Sequence, residues 1–318
     1  MDGWTVEEDA AGSRLDRWLA QRYHLPRNQV QHWIRDGRVL VGGRPGKPGL
    51  ALHGGERVEC EPPPAPESDP RVVAEPGELR VLWEDSAVAV VDKPAGLAVH
   101  PGAGRAAGTL ANRLMARYPE LAGVGGAGRP GIVHRLDLDT TGALAVARTP
   151  EAYRALSQAF SRRRVDKAYL AIVYGRPEPP SGTIDAPVGR HLRNRKEMTV
   201  RPGGRPAVTR YRLLAAAAGI SLLELDLLTG RTHQIRVHMK DAGHPLVGDP
   251  VYGEARWKAF PRARRKPLET FPRPALHAWR LAFDHPTHPG ERVEVEAPVP
   301  EDLTDLWRDA TGTAWPLG

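Results

Sequence analysis

Apolar side chains near the start of the chain recur at helical spacing. Residues 15–23 carry them at positions i, i+3, i+4 and i+8, which predicts a short amphipathic helix. A second helix is predicted at residues 30–34, and Gly37 follows where a left-handed cap would end it. Two strands are predicted next, at residues 38–41 and 57–60. We therefore expect a small α/β unit over residues 1–61.

Proline dominates the stretch that follows this unit. Six prolines fall between residues 62 and 76, and proline is excluded from helix interiors and central strands. Residues 62–78 are therefore predicted to form a semi-rigid linker. A second, larger domain is expected over residues 79–318.

The larger domain combines short apolar runs with helical periodicity. The runs are rich in small and β-branched residues and are typical of buried strands. They lie at residues 81–83, 88–91, 132–133, 143–147, 169–173 and 222–228. Helical spacing occurs between them, at residues 110–118 and 151–160. Strands in this irregular order, separated by long loops, favour an α+β fold over a regular βαβ repeat.

Length and composition limit the class of protein. The chain has 318 residues, 41% of them hydrophobic, so it can bury more than one core. It has neither a run of about 18 apolar residues nor a signal-peptide pattern, which predicts a cytoplasmic protein, by default a monomer. Its single cysteine, Cys60, excludes an internal disulfide and a zinc site built from several cysteines.

The chain is basic, and its charge is unevenly distributed. The formal net charge is +7, with a sequence pI near 9.7. Arg14 to Lys47 holds eight Arg or Lys against two Asp, and Arg190 to Arg212 holds eight against one Glu. A third cluster lies between Arg256 and Arg273. Each cluster alone would suit a solvated surface, but three together favour a nucleic-acid partner.

The stretch from Gly131 to Ala147, GIVHRLDLDTTGALAVA, encloses an acidic loop between two apolar segments. An extended backbone would direct the carboxylates of Asp137 and Asp139 to one side, whereas a turn would separate them. An Asp-Thr turn that only caps local amides is the structural alternative. The spacing also fits the magnesium-dependent aspartyl-phosphate motif of haloacid-dehalogenase-like phosphatases. Arg135 weighs against that interpretation, because it would repel a bound cation.

Five ordered motifs resemble those of the RluA/RluD family of RNA pseudouridine synthases. HRLDLDTTG resembles the family signature HRLDxDTSG. The other matches are VVDKPAGLAVHPGAG at residues 90–104, KAYLAIVYG at 167–175, LTGRTHQIRVHM at 228–239 and ALHAWRLAFDHP at 275–286. The N-terminal segment RLDRWLAQRYHLPRNQVQHWIRDGRVLV resembles an RNA-binding module shared with a small-subunit ribosomal protein.

The resemblance implies both an architecture and an activity. The expected α+β domain has a central mixed, largely antiparallel sheet flanked by helices and a basic cleft, and follows a small α/β RNA-binding module. The implied reaction converts uridine to pseudouridine in structured RNA without a cofactor. Large-subunit ribosomal RNA is favoured as the partner, in an assembling subunit or free, because the module and the VHPGAG segment resemble the RluD branch. A transfer RNA enzyme and an RNA-binding ribosome-assembly factor stay open.

The resemblance also implies which residues form the site, from their positions in the motifs. Asp137 matches the catalytic carboxylate, and Tyr169 matches the tyrosine expected to stack on the uracil and assist proton removal. Arg231 matches the guanidinium expected to keep the carboxylate charged. Arg135 matches the arginine expected to enter the RNA stack as the nucleotide flips out. Further substrate-binding residues are expected at His134, Lys167 and Leu276.

Two further expectations concern RNA and metals. The arginines expected to contact RNA from the N-terminal module are Arg14, Arg27, Arg35 and Arg38. No metal site is expected from the histidines at positions 134, 233 and 238. His233 and His238 lie five residues apart on a predicted strand and would point to opposite faces.

Overall fold

The computed structural model describes residues 2–23, 27–62, 72–102, 105–125, 129–194 and 197–317. The chain divides into two compact units, Met1–Asp69 and Pro70–Gly318. Residues 63–71 of the predicted linker, and Arg195 and Lys196 of the second basic cluster, lie outside the described residues. None of the helices within those ranges combines the length and the apolar composition that a membrane crossing requires.

The smaller unit packs two helices against a four-stranded antiparallel sheet. Its elements are β1 (Asp2–Thr5), α1 (Leu15–Arg22), α2 (Arg27–Arg35), β2 (Val39–Val41), β3 (Arg44–Pro45) and β4 (Arg57–Cys60). The strand order is β1-β4-β2-β3. The apolar faces of both helices and the thiol of Cys60 share one core with the sheet, as their spacing predicts.

The larger unit alternates strands and helices without a regular repeat. Its elements are β5 (Arg80–Glu84), β6 (Val88–Lys93), α3 (Leu110–Arg117), β7 (Thr141–Ala147), α4 (Pro150–Ser161), β8 (Asp166–Tyr174), β9 (Ser181–Asp185), β10 (Val188–Arg190), β11 (Met198–Val200), β12 (Val208–Ala217), β13 (Ile220–Leu227), α5 (Gln234–Asp241), α6 (Arg262–Thr270), β14 (Leu276–Asp284), β15 (Arg292–Glu296) and α7 (Glu301–Thr311).

One large sheet organises this unit. Within the described residues it has nine strands in the order β5-β6-β7-β14-β8-β13-β12-β9, with β15 also paired to β14. The β7–β14 pair is parallel, with His277 opposite Thr141, and the other pairs of the sheet are antiparallel. The expected mixed, largely antiparallel sheet is thereby confirmed.

Both faces of the sheet are covered by helices. Successive residues of β8 point to opposite faces, so Tyr169 and Ala171 enter one core while Leu170 and Ile172 enter another. The first core includes side chains of α3, α4 and α5, and the second includes side chains of α6 and α7. The flanking helices expected from the resemblance are confirmed.

Two segments differ from their predicted secondary structure. The segment with His233 and His238 is the start of α5 rather than a strand, and its residues 234–239 are all buried. Polar and apolar residues alternate from Gln234 to Met239, which is the pattern of a strand, and burial on every side leaves no exposed face to give a helical period. Residues 132–133 are not a strand, because Ile132 forms only an isolated bridge with Val146.

The end of the predicted linker packs against α3. Val72 is buried. The Asn112 Nδ2 group of α3 donates to the Val73 carbonyl at 2.8 Å, and the Glu75 amide donates to the Asn112 carbonyl at 3.1 Å. Residues 72–75 therefore pack as part of the larger unit.

Candidate active site

A cavity of about 600 Å³ lies on the face of the sheet that carries α4 and α5. Its volume is in the range of pockets that enclose a small organic group such as a nucleoside. The cavity brings together every site residue predicted for the larger domain, namely His134, Arg135, Asp137, Lys167, Tyr169, Arg231 and Leu276. The residues that line it include six arginines or lysines and one carboxylate, which belongs to Asp137. The expected basic cleft is therefore present.

Asp137 is held in a chain of two carboxylates and one guanidinium. Its side chain is 21% exposed, and its Oδ2 accepts a hydrogen bond from Nη1 of the buried Arg236 at 3.2 Å. Arg236 also donates from Nε and Nη2 to both oxygens of the buried Asp249, at 2.6 and 2.8 Å. This two-point contact fixes the guanidinium plane, so Nη1 is directed at Asp137.

The guanidinium beside Asp137 is thus Arg236, where Arg231 was expected. Arg231 lines the same cavity, but its Nε donates to the Pro206 carbonyl at 3.0 Å. Both arginines lie in the motif LTGRTHQIRVHM. The difference arises because α5 is a helix, which turns Arg236 inward, whereas Arg231 precedes the helix.

Two buried cations hold the backbone around Asp137. Lys93 Nζ donates to the carbonyls of Pro94, Leu97 and Leu138 at 2.8–2.9 Å. Arg273 Nη1 donates to the Asp139 carbonyl at 3.3 Å, and its other nitrogens pair with Asp302 at 2.7 Å. Consecutive carbonyls of the loop are therefore fixed by separate side chains.

Burial also changes the pKa of the Lys93 ammonium. Desolvation lowers its pKa to about 8, although the nearby carboxylates of Asp139 and Asp137 oppose the shift. The three carbonyl acceptors satisfy its donors, as a fully buried ammonium requires. Lys93 lies in the motif VVDKPAGLAVHPGAG, yet the sequence does not reveal that it contacts a loop 45 residues further along the chain.

Tyr169 and Leu276 supply an apolar wall. Tyr169 is 7% exposed on β8, and Leu276 is 4% exposed at the start of the neighbouring β14. Burial, and next the charge of Asp137, raise the pKa of the Tyr169 hydroxyl well above its usual range. The hydroxyl is therefore protonated at neutral pH and is suited to donate a hydrogen bond.

The His134 ring is neutral, and two contacts fix its position. Its Nε2 accepts a hydrogen bond from the Ala145 amide at 2.9 Å, and its ring stacks on Phe160 at 4.4 Å. Burial, and next the charge of Lys167, lower the pKa of His134 to about 3. His134 thus joins the loop before Asp137 to β7.

The two other predicted cations differ in exposure. Arg135 is exposed where the cavity meets solvent, as a residue that enters an RNA stack needs to be. Lys167 is half-buried on β8, and burial, followed by the charge of Arg163, lowers its pKa.

The three histidines considered as metal ligands do not form a site. His238 is occupied at both ring nitrogens, by the Thr209 hydroxyl and the Ala186 carbonyl, each at 2.9 Å. His233 Nδ1 contacts the Tyr252 hydroxyl at 2.9 Å. Among the described residues, the one group with metal-ligand spacing is Asp85, His285 and His288, away from this cavity.

The loop geometry separates Asp137 from Asp139. The Thr140 amide donates to the Asp137 carbonyl at 3.2 Å, which closes a turn, and Asp139 is absent from the lining of the cavity. Of the two backbone geometries considered for the pair, the turn is present. Arg236 also places a positive charge where the phosphatase motif would need magnesium.

In the N-terminal unit, two of the four predicted RNA-contacting arginines, Arg14 and Arg27, contact a buried carboxylate. Asp16 accepts hydrogen bonds from Arg14 at 3.2 Å, from Arg27 at 2.9 Å and from Gln31 at 2.5 Å. Arg35 contacts Gln31 at 3.4 Å. Burial would raise the pKa of Asp16, but these donors outweigh it and lower the pKa to about 2. The fourth, Arg38, is half-buried.

Known proteins resemble the chain in both units. Residues 87–241 match the family described as RNA pseudouridylate synthase, and residues 13–58 match the S4 domain. A ribosomal large subunit pseudouridine synthase D from Xanthomonas campestris pv. campestris is 46% identical over 304 residues, which cover 95% of this chain and 90% of the relative. The chain belongs to the RluA/RluD family of RNA pseudouridine synthases. It is therefore an isomerase that acts on RNA, as the five motifs predict.

Other relatives agree with this family. An uncharacterized RNA pseudouridine synthase from Chloroflexus aurantiacus is 49% identical, with 95% of this chain and 92% of the relative covered. The solved structure of human RNA pseudouridylate synthase domain containing 1 matches with a TM-score of 0.56 and 31% identity, covering 73% of this chain and 90% of that one. The S4 match likewise confirms the ribosomal-protein-like module of this pseudouridine synthase.

Proposed function

We propose that this pseudouridine synthase modifies uridines of large-subunit ribosomal RNA, with Asp137 as its catalytic carboxylate. The observation that carries the site assignment is the position of Asp137: it is the one carboxylate among the residues that line the cavity, and Arg236 donates to it. The substrate assignment is supported by relatives from several bacteria that are named large-subunit synthases and align over about 95% of this chain.

The reaction requires a positioned anion and no external reagent. Pseudouridine contains the same atoms as uridine, so the bond from ribose C1′ to uracil N1 breaks, the base turns, and a bond from C1′ to C5 forms. The C5 proton leaves and N1 gains a proton, which balances the reaction. An ionised Asp137 serves at the sugar, as a nucleophile at C1′ or as a base.

The surrounding residues suit the steps before and after bond cleavage. Arg236, fixed by Asp249, keeps a positive charge beside the carboxylate. The Tyr169 ring and Leu276 offer an apolar surface for the uracil. Tyr169 is better suited to donate a hydrogen bond to the base than to accept the C5 proton, because its pKa is raised.

RNA would be held at two places. Arg135 would fill the space left in the RNA stack when the target nucleotide flips out, with His134 and Lys167 supporting the cavity wall. The module over residues 1–61 would bind the RNA backbone through Arg14, Arg27, Arg35 and Arg38, and the catalytic domain over residues 79–318 would act on the base.

The first experiment compares the intact protein with Asp137→Asn. We expect tritium release from RNA labelled at uridine C5 for the intact protein, without added metal, and a loss of at least about a thousandfold for the variant. Asp139→Asn is the matched control, because it makes the same change in the same loop outside the cavity. Equal losses in both variants would contradict the assignment of Asp137.

The choice of RNA tests the substrate. We expect release from large-subunit ribosomal RNA, supplied as a transcript or as an assembling particle, and none from transfer RNA. Release from transfer RNA alone would overturn the substrate assignment. No release from any of these RNAs, with binding intact, would instead favour an RNA-binding ribosome-assembly factor.

A further inference from the structure

Three arginines gather at the edge of the cavity and are not part of the Asp137 network. Arg163 follows the C-terminus of α4, Arg205 precedes β12, and Arg231 precedes α5, and all three line the cavity. We call them the arginine rim. The Arg231 Nε group donates to the carbonyl of Pro206, the residue directly after Arg205, which brings these two arginines together.

The backbone of the arginine rim is fixed. The Arg205 amide and carbonyl form hydrogen bonds of 2.9 and 3.0 Å with Val188. The Arg231 amide donates to the Gln234 side chain at 3.0 Å, and that side chain is itself buried and bound to Thr229 and Thr209. The guanidiniums are therefore attached to rigid points rather than to free loops.

The charges of the arginine rim repel one another. Burial, and then the charges of Arg205 and Arg163, lower the pKa of Arg231. Within the part of the chain that the structure describes, none of the three arginines forms an ion pair. Like charges near one another without a counterion repel, so binding of an anion between them would be favourable.

Arg163 also has an unfavourable backbone conformation. Its φ is +60°, in the left-handed region that favours glycine, and the Arg163 and Arg164 amides close the end of α4 on Phe160 and Ala159. A glycine would relieve the strain here. Arginine at this position instead adds a third guanidinium to the edge of the cavity.

We propose that the arginine rim binds one phosphate group of the RNA backbone, next to the nucleotide whose base enters the cavity. Guanidinium groups present paired N–H donors that match phosphate oxygens, and three of them can surround a single phosphate. The shared cavity places this phosphate close to Asp137. The site would hold the sugar-phosphate of the flipped nucleotide while the freed uracil turns. This inference rests on the proposed function, since RNA supplies the phosphate.

The test measures RNA binding as a function of salt. Full-length intact protein is compared with the triple variant Arg163→Gln, Arg205→Gln, Arg231→Gln, using a large-subunit ribosomal RNA transcript as the probe. We expect the slope of log Kd against log salt to become shallower by about 0.7–0.9, the value for one phosphate contact. Affinity near physiological salt should weaken by about tenfold.

Three controls make the result specific. Arg164→Gln removes one positive charge from an exposed neighbour of Arg163 outside the cavity and should leave the slope unchanged. Arg205→Lys keeps the charge and should keep the slope. Circular dichroism of the triple variant should match that of the intact protein.

Two outcomes would overturn the phosphate site. One is an unchanged slope in the triple variant; the other is an equal change in Arg164→Gln, which would indicate general electrostatic attraction. Tritium release from the same RNA is measured separately. If the intact protein released none while the triple variant still changed the slope, the phosphate site would stand and the proposed isomerisation would fall.

Discussion

At the scale of single residues, the hydrogen bond from the Ala145 amide to His134 makes one side chain sensitive to pH. A backbone amide can only donate, so protonation of Nε2 would break the bond and place a cation in a desolvated position. Burial lowers the pKa of His134 from 6.5 to about 3. The neutral ring therefore contributes stability above about pH 6.5, and this contribution is lost as pH falls towards 3.

His134→Gln should remove part of the acid sensitivity. Its amide oxygen can accept the Ala145 bond, and glutamine does not titrate. Between pH 7 and pH 4 we expect the intact protein to lose about 2 kcal/mol more unfolding free energy than the variant. Urea unfolding followed by circular dichroism at both pH values measures the difference. Identical pH dependence in the two proteins would contradict the role of this histidine.

Most of the individual site residues could be predicted from the sequence, but their contacts could not. Asp137, Tyr169 and the five other predicted residues of the cavity can be identified from sequence because they lie in motifs that are matched position by position. Arg236 and Arg231 lie in one such motif, but only the fold decides which guanidinium reaches a carboxylate 99 residues away. The role of Asp249 could not be predicted, because a single buried aspartate has no distinctive spacing in the sequence.

At the scale of elements, the parallel pairing of β7 and β14 depends on Gly142. Its φ is +112°, and an added Cβ would collide with the backbone of Ala278, including the Ala278 nitrogen at 2.8 Å. Thr141, beside it, bonds His277 of β14 at 2.9 Å. The close contact therefore anchors the strand that follows the Asp137 loop.

Gly142→Ala should separate the two strands. We expect a loss of about 3–4 kcal/mol in unfolding free energy, together with reduced tritium release, because the loop before β7 loses its support. Gly96→Ala is the control: its φ is +74°, but no atom lies near the new Cβ, so it should cost only about 1 kcal/mol. Equal losses would mean that backbone strain, rather than the collision, decides the outcome.

Helices could be predicted where one face of the segment is exposed to solvent. Strands could be predicted where a short apolar run is rich in β-branched residues. The helices α1, α2, α3 and α4 and the strands β6, β7 and β8 follow such patterns closely. The helix α5 is not predictable, because residues 234–239 alternate polar and apolar side chains like a strand and are all buried. The strand β12, of mixed burial and with two arginines, offers no clean alternation either.

At the scale of the whole molecule, we propose that the N-terminal unit binds the RNA backbone and that the larger unit carries out the chemistry. The N-terminal unit has its own core, and the cavity is lined entirely by residues of the larger unit. Deletion of residues 1–61 should therefore weaken RNA binding and reduce its salt dependence, while the catalytic domain stays folded. Filter binding across salt concentrations and circular dichroism measure both effects. Unchanged affinity and slope would contradict the division.

The single cysteine makes the N-terminal unit observable on its own. Cys60 is fully buried in β4, and burial raises the pKa of its thiol. A thiol-specific chromogenic reagent should therefore react only when this unit opens, with no contribution from the catalytic domain. The labelling rate therefore measures how often the N-terminal unit opens locally. Slower labelling in the presence of RNA would report which end of the enzyme the nucleic acid stabilises, without any engineered probe.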